Sequence, residues 1–119
     1  MADVKRATRV AGRLREELAA ALRGLRDPRL EGVLVSRVAL TDDLQLANVY
    51  VRRELGGDPV AVKAALKALG AAAGRLRHAV AQSMGLRATP ALRFFYDEAP
   101  DAVDRIEELL REVKREGGA

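Results

Sequence analysis

Between Asp58 and Asp97 the chain has no carboxylate, and the 38 intervening positions carry Lys63, Lys67, Arg75, Arg77, Arg87 and Arg93. Cations unopposed over such a stretch do one kind of chemistry: they hold the phosphates of a polyanion, with RNA the first candidate. Arginine supplies 17 of the 21 cations, and its planar fork matches phosphate geometry. An Arg- and Ala-rich chain is equally what genomic base composition alone can produce. A second group, Lys5, Arg6, Arg9 and Arg13, opens the chain on a helical pattern. Cations there oppose the helix dipole, which hints at an external anion. The plainer reading is a solvated face with Arg13 paired to Glu17 one turn on.

Other chemistries lack their residues. His78 is the single histidine and has no triad partner at useful spacing, so it reads as a solvated side chain or an RNA contact. There is no cysteine, hence no disulfide, thiolate metal site or thiol nucleophile. No Gly-rich phosphate loop ends in Lys-Ser/Thr, and Gly70–Gly74 spells G-x-x-x-G only within a charged soluble segment. The C-terminal acids sit at helical spacing without the alternating pattern of a calcium loop. No enzyme, cofactor or metal site is expected.

The positioning elements follow from periodicity. Val10, Leu14, Leu18, Ala21 and Leu25 make one stripe of a helix over about residues 3–22, stopped by Gly24. Two β-branched runs, 33–40 and 46–52, flank Thr41–Leu44 as a hairpin, with Ala47, Val49 and Val51 facing a core and Asn48, Tyr50 and Arg52 facing an open side. Asp58-Pro59 starts a helix with buried stripe Val62, Leu66, Leu69 and Ala73. Gly74 predicts a bend, after which a further helix from Arg75 to about Met84 exposes Arg75, His78 and Gln82 before Gly85 ends it. Pro90 leads a strand, 91–96, with Leu92, Phe94 and Tyr96 on one side and Arg93 and Phe95 on the other; Phe94 reads as core, and a stacking role for Phe95 is open. A last helix begins at Pro100-Asp101, with Val103, Ile106, Leu110 and Val113 on one side and mostly acids elsewhere, and Gly117-Gly118-Ala119 frays.

At 119 residues this is one domain with room for a core. Charge is segregated: residues 1–96 hold 17 bases against nine acids, and residues 97–119 hold eight acids against four bases. The N-terminus turns charged where a secretory signal would turn apolar, and no run reaches membrane-spanning length, so a cytoplasmic protein is expected.

The order helix–strand–strand–helix–helix–strand is that of a type II KH domain, an α+β fold with helices on one face of a three-stranded mixed sheet. The usual KH domain carries G-x-x-G between its central helices, to clamp a nucleotide backbone. Here Ala72-Ala73-Gly74 stands at that joint. With Asp27-Pro28-Arg29, Asp43-Leu44, Ala47-Asn48-Val49-Tyr50-Val51 and Pro90–Asp97, the chain resembles the ribosome-binding factor A family over about residues 4–98. The resemblance implies a non-catalytic, cytoplasmic assembly factor of the bacterial small subunit. Its implied partners are the 30S subunit and 16S rRNA, whose late maturation and 5′-end formation it assists. It also implies a KH-like ribosome-binding unit at 1–98 and an interhelical kink at Ala72 and Gly74; the acidic helix or tail at 99–119 lies outside the matched region and inherits no role.

The residues expected to touch RNA are Arg6, Arg9, Arg13, Lys63, Lys67, Arg75, Arg77, His78 and Arg87. A monomer with no membrane partner is expected. The alternatives are a protein–protein adaptor using the acidic helix and a generic KH-like RNA binder, the latter weakened by the missing clamp and only four aromatic residues.

Overall fold

A computed structural model describes residues 2–117. Met1, Gly118 and Ala119, and with the last two the expected frayed end, lie outside the described residues. The element order is α1 (Ala2–Arg23), a short 3-10 turn (Pro28–Leu30), β1 (Val33–Leu40), β2 (Leu46–Arg53), α2 (Pro59–Met84), β3 (Ala91–Tyr96) and α3 (Ala99–Gly117). The sheet runs β1-β2-β3, with β2 antiparallel to β1 and parallel to β3. α1 packs on β1 and α2 on β3, from the same side, giving two layers and the expected KH-like α+β architecture. No helix among the described residues is long and apolar enough to cross a membrane.

The core lies between these layers. Ala47, Val49 and Val51 are sealed against Leu14, Leu18, Leu69, Leu76 and Val80, as strict alternation along β2 requires. Removing a valine side chain from water in this way contributes roughly 1.5–3 kcal/mol. On α1 the buried stripe is Ala7, Leu14, Leu18 and Leu22, while Val10 and Leu25 are only half-buried. Arg29 donates to Asp27 at 2.7 and 3.1 Å, and Asp27 caps the 3-10 turn through the Arg29 amide. The Asp27-Pro28-Arg29 segment is thus a self-contained corner. In the hairpin turn Asp43 accepts from the Thr41 hydroxyl and the Gln45 amide.

α2 corrects two expectations. Residues 71–75 stay helical, so Pro59–Met84 is one helix of 26 residues and not two meeting at Gly74. The buried positions Leu69, Ala72, Leu76 and Val80 recur at helical spacing on either side of Gly74 and enter the same core. That common packing outweighs the ~1 kcal/mol that glycine costs inside a helix. The buried face is also rotated: Ala65, Ala68 and Ala72 are in the core, and Val62, Leu66 and Ala73 are half-buried at its margin. Small alanines there let helix and sheet approach closely. Asp58 caps the start through the Ala61 amide, and Gly85 ends the helix at φ 66°, as the sequence predicts.

β1 contains a bulge. Val35 pairs with Val51 and Arg37 with Tyr50, which leaves Ser36 as an extra residue. Ser36 donates to the Asp97 carboxylate at 2.6 Å, tying β1 to the residue that follows β3. α3 begins at Ala99, one residue before the expected start, and Asp97 accepts from the Ala99 amide. Ile106, Leu109, Leu110 and Val113 of α3 are all more than half exposed. Val103, placed on the same apolar side by the sequence, falls outside the residues whose side chains are described.

Candidate nucleic-acid interface

α1 lies antiparallel to the second half of α2. Ser83 donates to Glu17 at 2.6 Å, and Arg13 reaches the Ser83 carbonyl at 3.5 Å. This replaces the expected pairing of Arg13 with Glu17, and no ion pair joins those two among the described residues. Arg6, Arg9 and Arg13 are exposed, one to two turns apart, at the end of the helix pair that also holds Gly85 and the exposed Arg87.

Lys63, Lys67, Gly70, Gly74 and His78 are all exposed and recur at spacings of four, three, four and four, which is one row along α2. At 1.5 Å per residue the row spans ~22 Å. A Cβ added at Gly70 or Gly74 would meet nothing within 4 Å, so the middle of the row is bare backbone open to solvent. α2 contains no acid, so nothing on its own surface neutralises the row. Arg75 stands beside it, and with His78 lines a shallow depression closed by Ala21, Gly24, Leu25 and Ala79.

Two predicted site residues have other employment. Arg77 donates to the carbonyls of Pro90 and Thr89 at 3.1 and 3.0 Å, bracing α2 against the chain entering β3. Ala72, expected at the interhelical joint, is buried in the core. The predicted RNA-contact residues therefore do not form one patch. Lys63 and Lys67 lie in the N-terminal half of α2 and Arg75 and His78 just past its middle; Arg6, Arg9, Arg13 and Arg87 lie toward the opposite end of the helix pair.

The outer face of the sheet carries groups that charge counting did not single out. Arg37, Tyr50 and Phe95 are cross-strand neighbours in one row. The Arg37 guanidinium carbon lies 3.9 Å from the Tyr50 ring centroid. Tyr50 and Phe95 stack with centroids 5.5 Å apart and planes at 29°. Phe95 remains 41% exposed. In the neighbouring rows, Asn48 Oδ1 and Arg52 Nε are enclosed without a hydrogen-bond partner, and Arg93 is exposed. The alternation of Asn48, Tyr50 and Arg52 against the buried valines was the signal in the sequence. The parallel pairing that sets Phe95 beside Tyr50 was not.

Asp97 meets this face. Its carboxyl is held below the usual carboxylate range mainly by the Ser36 hydroxyl, with burial opposing and the Ala99 amide, Arg37 and Arg52 assisting. It lies 3.8 Å from Arg37. Asp27 and Asp43, elsewhere, are lowered by hydrogen bonds from Arg29 and Thr41 respectively. Among the described residues no cluster of side chains could hold a metal ion.

Comparison with known proteins gives a consistent set of likenesses. A family model described as ribosome-binding factor A matches residues 6–110. Ribosome-binding factor A of Sorangium cellulosum is 68% identical over 112 residues, covering 93% of this chain and 90% of that protein. The crystal structure of ribosome-binding factor A from Thermus thermophilus superposes with a TM-score of 0.70 at 31% identity, covering 78% of this chain and 97% of that one. A homology model of the Thermus thermophilus protein, fitted into a cryo-EM map of its complex with the 30S subunit, superposes with a TM-score of 0.62 at 33% identity, covering 74% and 91%.

Proposed function

The chain belongs to the ribosome-binding factor A family, and from that premise we propose that it binds the immature 30S subunit and assists late maturation of 16S rRNA, including its 5′ end. The observation that carries this reading is the acid-free row of α2, with lysines at one end and bare helix backbone in its middle. Lysines and arginines on such a row take up phosphates and release counterions, which positions a protein on RNA without reading its sequence. The absence of G-x-x-G argues against a single-strand clamp at this place. A rigid row of ~22 Å suits the side of a folded rRNA helix. The cations of α1 with Arg87 would hold a second rRNA element at the other end of the helix pair, so that the two elements are kept in position until they mature. The chemistry asked of the protein is binding and orientation, with no catalytic step, and it takes place where ribosomes are assembled, in the cytoplasm.

The test is sedimentation of the protein with purified ribosomal particles at about 0.1 and 0.3 M salt. The expected result is co-migration with immature small subunits in preference to 70S particles, weakened by salt. Lys67→Glu with Arg75→Glu should weaken it further and flatten the salt dependence. Migration of the unaltered protein only at the top of the gradient would sink the reading. A charge-reversed variant that behaves like wild type would remove the α2 row from it.

A second reading is favoured by the exposed Ile106, Leu109, Leu110 and Val113. Residues 99–119 would then be a separate acidic segment presenting an apolar face to a protein partner, attached to a ribosome-binding unit of residues 1–98.

A further inference from the structure

We propose that the outer face of the sheet is a stacking platform for unpaired RNA, with Phe95 as the surface on which a base lands. The inference rests on the ribosomal-RNA reading above and adds a second, chemically different contact on the opposite side of the molecule. Arg37, Tyr50 and Phe95 come from three successive strands. Tyr50 is therefore flanked on the β1 side by a guanidinium at 3.9 Å and on the β3 side by a ring at 5.5 Å. The column ends at Phe95. β3 is the last strand of the sheet, so no further strand supplies a neighbour on that side, and the ring is 41% exposed. A planar group laid on the far side of Phe95 extends an existing stack on a rigid support, at little cost in ordering.

The surroundings decide which planar group. Arg37, Arg52 and Arg93 project from this face, and the acid that meets them, Asp97, is already engaged by Ser36 and Arg37. Arg52 Nε has no acceptor and Asn48 Oδ1 has no donor, although both atoms are enclosed. The face thus offers a π surface and the exposed guanidinium groups of Arg37 and Arg93 together, above the unpaired Arg52 Nε and Asn48 Oδ1. An unpaired RNA strand supplies base faces, phosphates and base-edge donors and acceptors along one polymer. Duplex RNA supplies phosphates, 2′-hydroxyls and minor-groove edges, but it hides the base faces that a stack needs. A peptide ligand with aromatic side chains would need acids to match the arginines and would leave the stack as its only specific feature.

The experiment uses Phe95→Trp, which introduces the only tryptophan of the chain. Full-length protein is titrated with an oligoadenylate of about eight nucleotides and, separately, with an RNA duplex of similar length, following both anisotropy of labelled RNA and tryptophan emission. The expected result is quenching by the oligoadenylate and none by the duplex. Phe95→Ala should weaken oligoadenylate binding about five- to 150-fold, the usual worth of one base–aromatic stack. Phe95→Leu, which keeps the strand apolar, should lose most of the same factor with an unchanged circular dichroism spectrum. Oligoadenylate that binds without quenching, or does not bind, overturns the platform. Small-subunit co-sedimentation of the same preparation separates the two readings: its persistence leaves the ribosomal role standing, and its loss in the unaltered protein removes that role as well.

Discussion

Replacing Gly74 by alanine should raise stability and lower affinity at once. Gly74 is inside an uninterrupted helix, is exposed, and is absent from the glycines with positive φ. A Cβ there meets nothing within 4 Å, so the substitution brings no clash and no new burial. What remains is the difference in helix propensity, about 1 kcal/mol in favour of alanine. For 119 residues the unfolding entropy near 60 °C is about 0.25 kcal/mol/K, so Tm should rise by about 4 °C. Gly70 meets the same conditions, and the double variant should gain about twice as much. Thermal unfolding followed by circular dichroism measures this directly. In the sedimentation assay, the two methyl groups stand out from the middle of the row proposed to face phosphate and should weaken binding. A Tm that stays level or falls would mean that residue 74 is not in relaxed helical geometry. Greater stability with undiminished affinity would mean that RNA does not approach this row.

Three further outcomes are expected. Asp97 has a folded-state pKa below its unfolded value near 4, so the stability it confers is complete above about pH 5 and is lost as pH falls through the folded value. Ser36→Ala removes the first cause of that shift, and thermal melts between pH 7 and 3 should show a shallower acid-side loss in the variant. Arg77→Met removes two hydrogen bonds to carbonyls while keeping the aliphatic stem. It should cost about 1 kcal/mol in urea denaturation and leave the salt slope of RNA binding nearly unchanged. Truncation after Glu98 removes an acidic helix with an exposed apolar face. RNA affinity should hold or rise in anisotropy titrations, and a fall would make α3 part of the RNA contact.

The elements whose ends are written in local chemistry were legible. Asp58-Pro59 and Gly85 bracket α2 because a cap, a fixed φ and a left-handed terminus are properties of single residues. Ala47, Val49 and Val51 named the buried side of β2 because alternation has only two phases. The face of α2 was not legible in the same way. In a helix so rich in alanine, Val62, Leu66 and Ala73 look as apolar as Ala65, Ala68 and Ala72, and only the distance to the sheet separates them. Gly74 read as a joint because its local cost is visible in sequence while the common packing of Leu69 and Leu76 is not. Charges announced themselves, but their partners did not. Arg77 is satisfied by carbonyls 12 and 13 residues away, and Asp97 by a hydroxyl 61 residues away. Phe95 could be assigned a side of β3, but its stack on Tyr50 depends on a parallel register that no local pattern states.

The extra residue at Ser36 has a bearing on how this protein behaves in a crowd. A three-stranded sheet has two free edges, each a template for a foreign strand. A strand laid along β1 would keep step as far as Val35 and then fall out of register at the bulge. Along β3 it would find six residues, preceded by a proline with no N–H to offer. Backbone geometry therefore limits self-association at both margins, and it does so at any ionic strength. Surface charge alone would lose that protection in the same salt that loosens its hold on RNA.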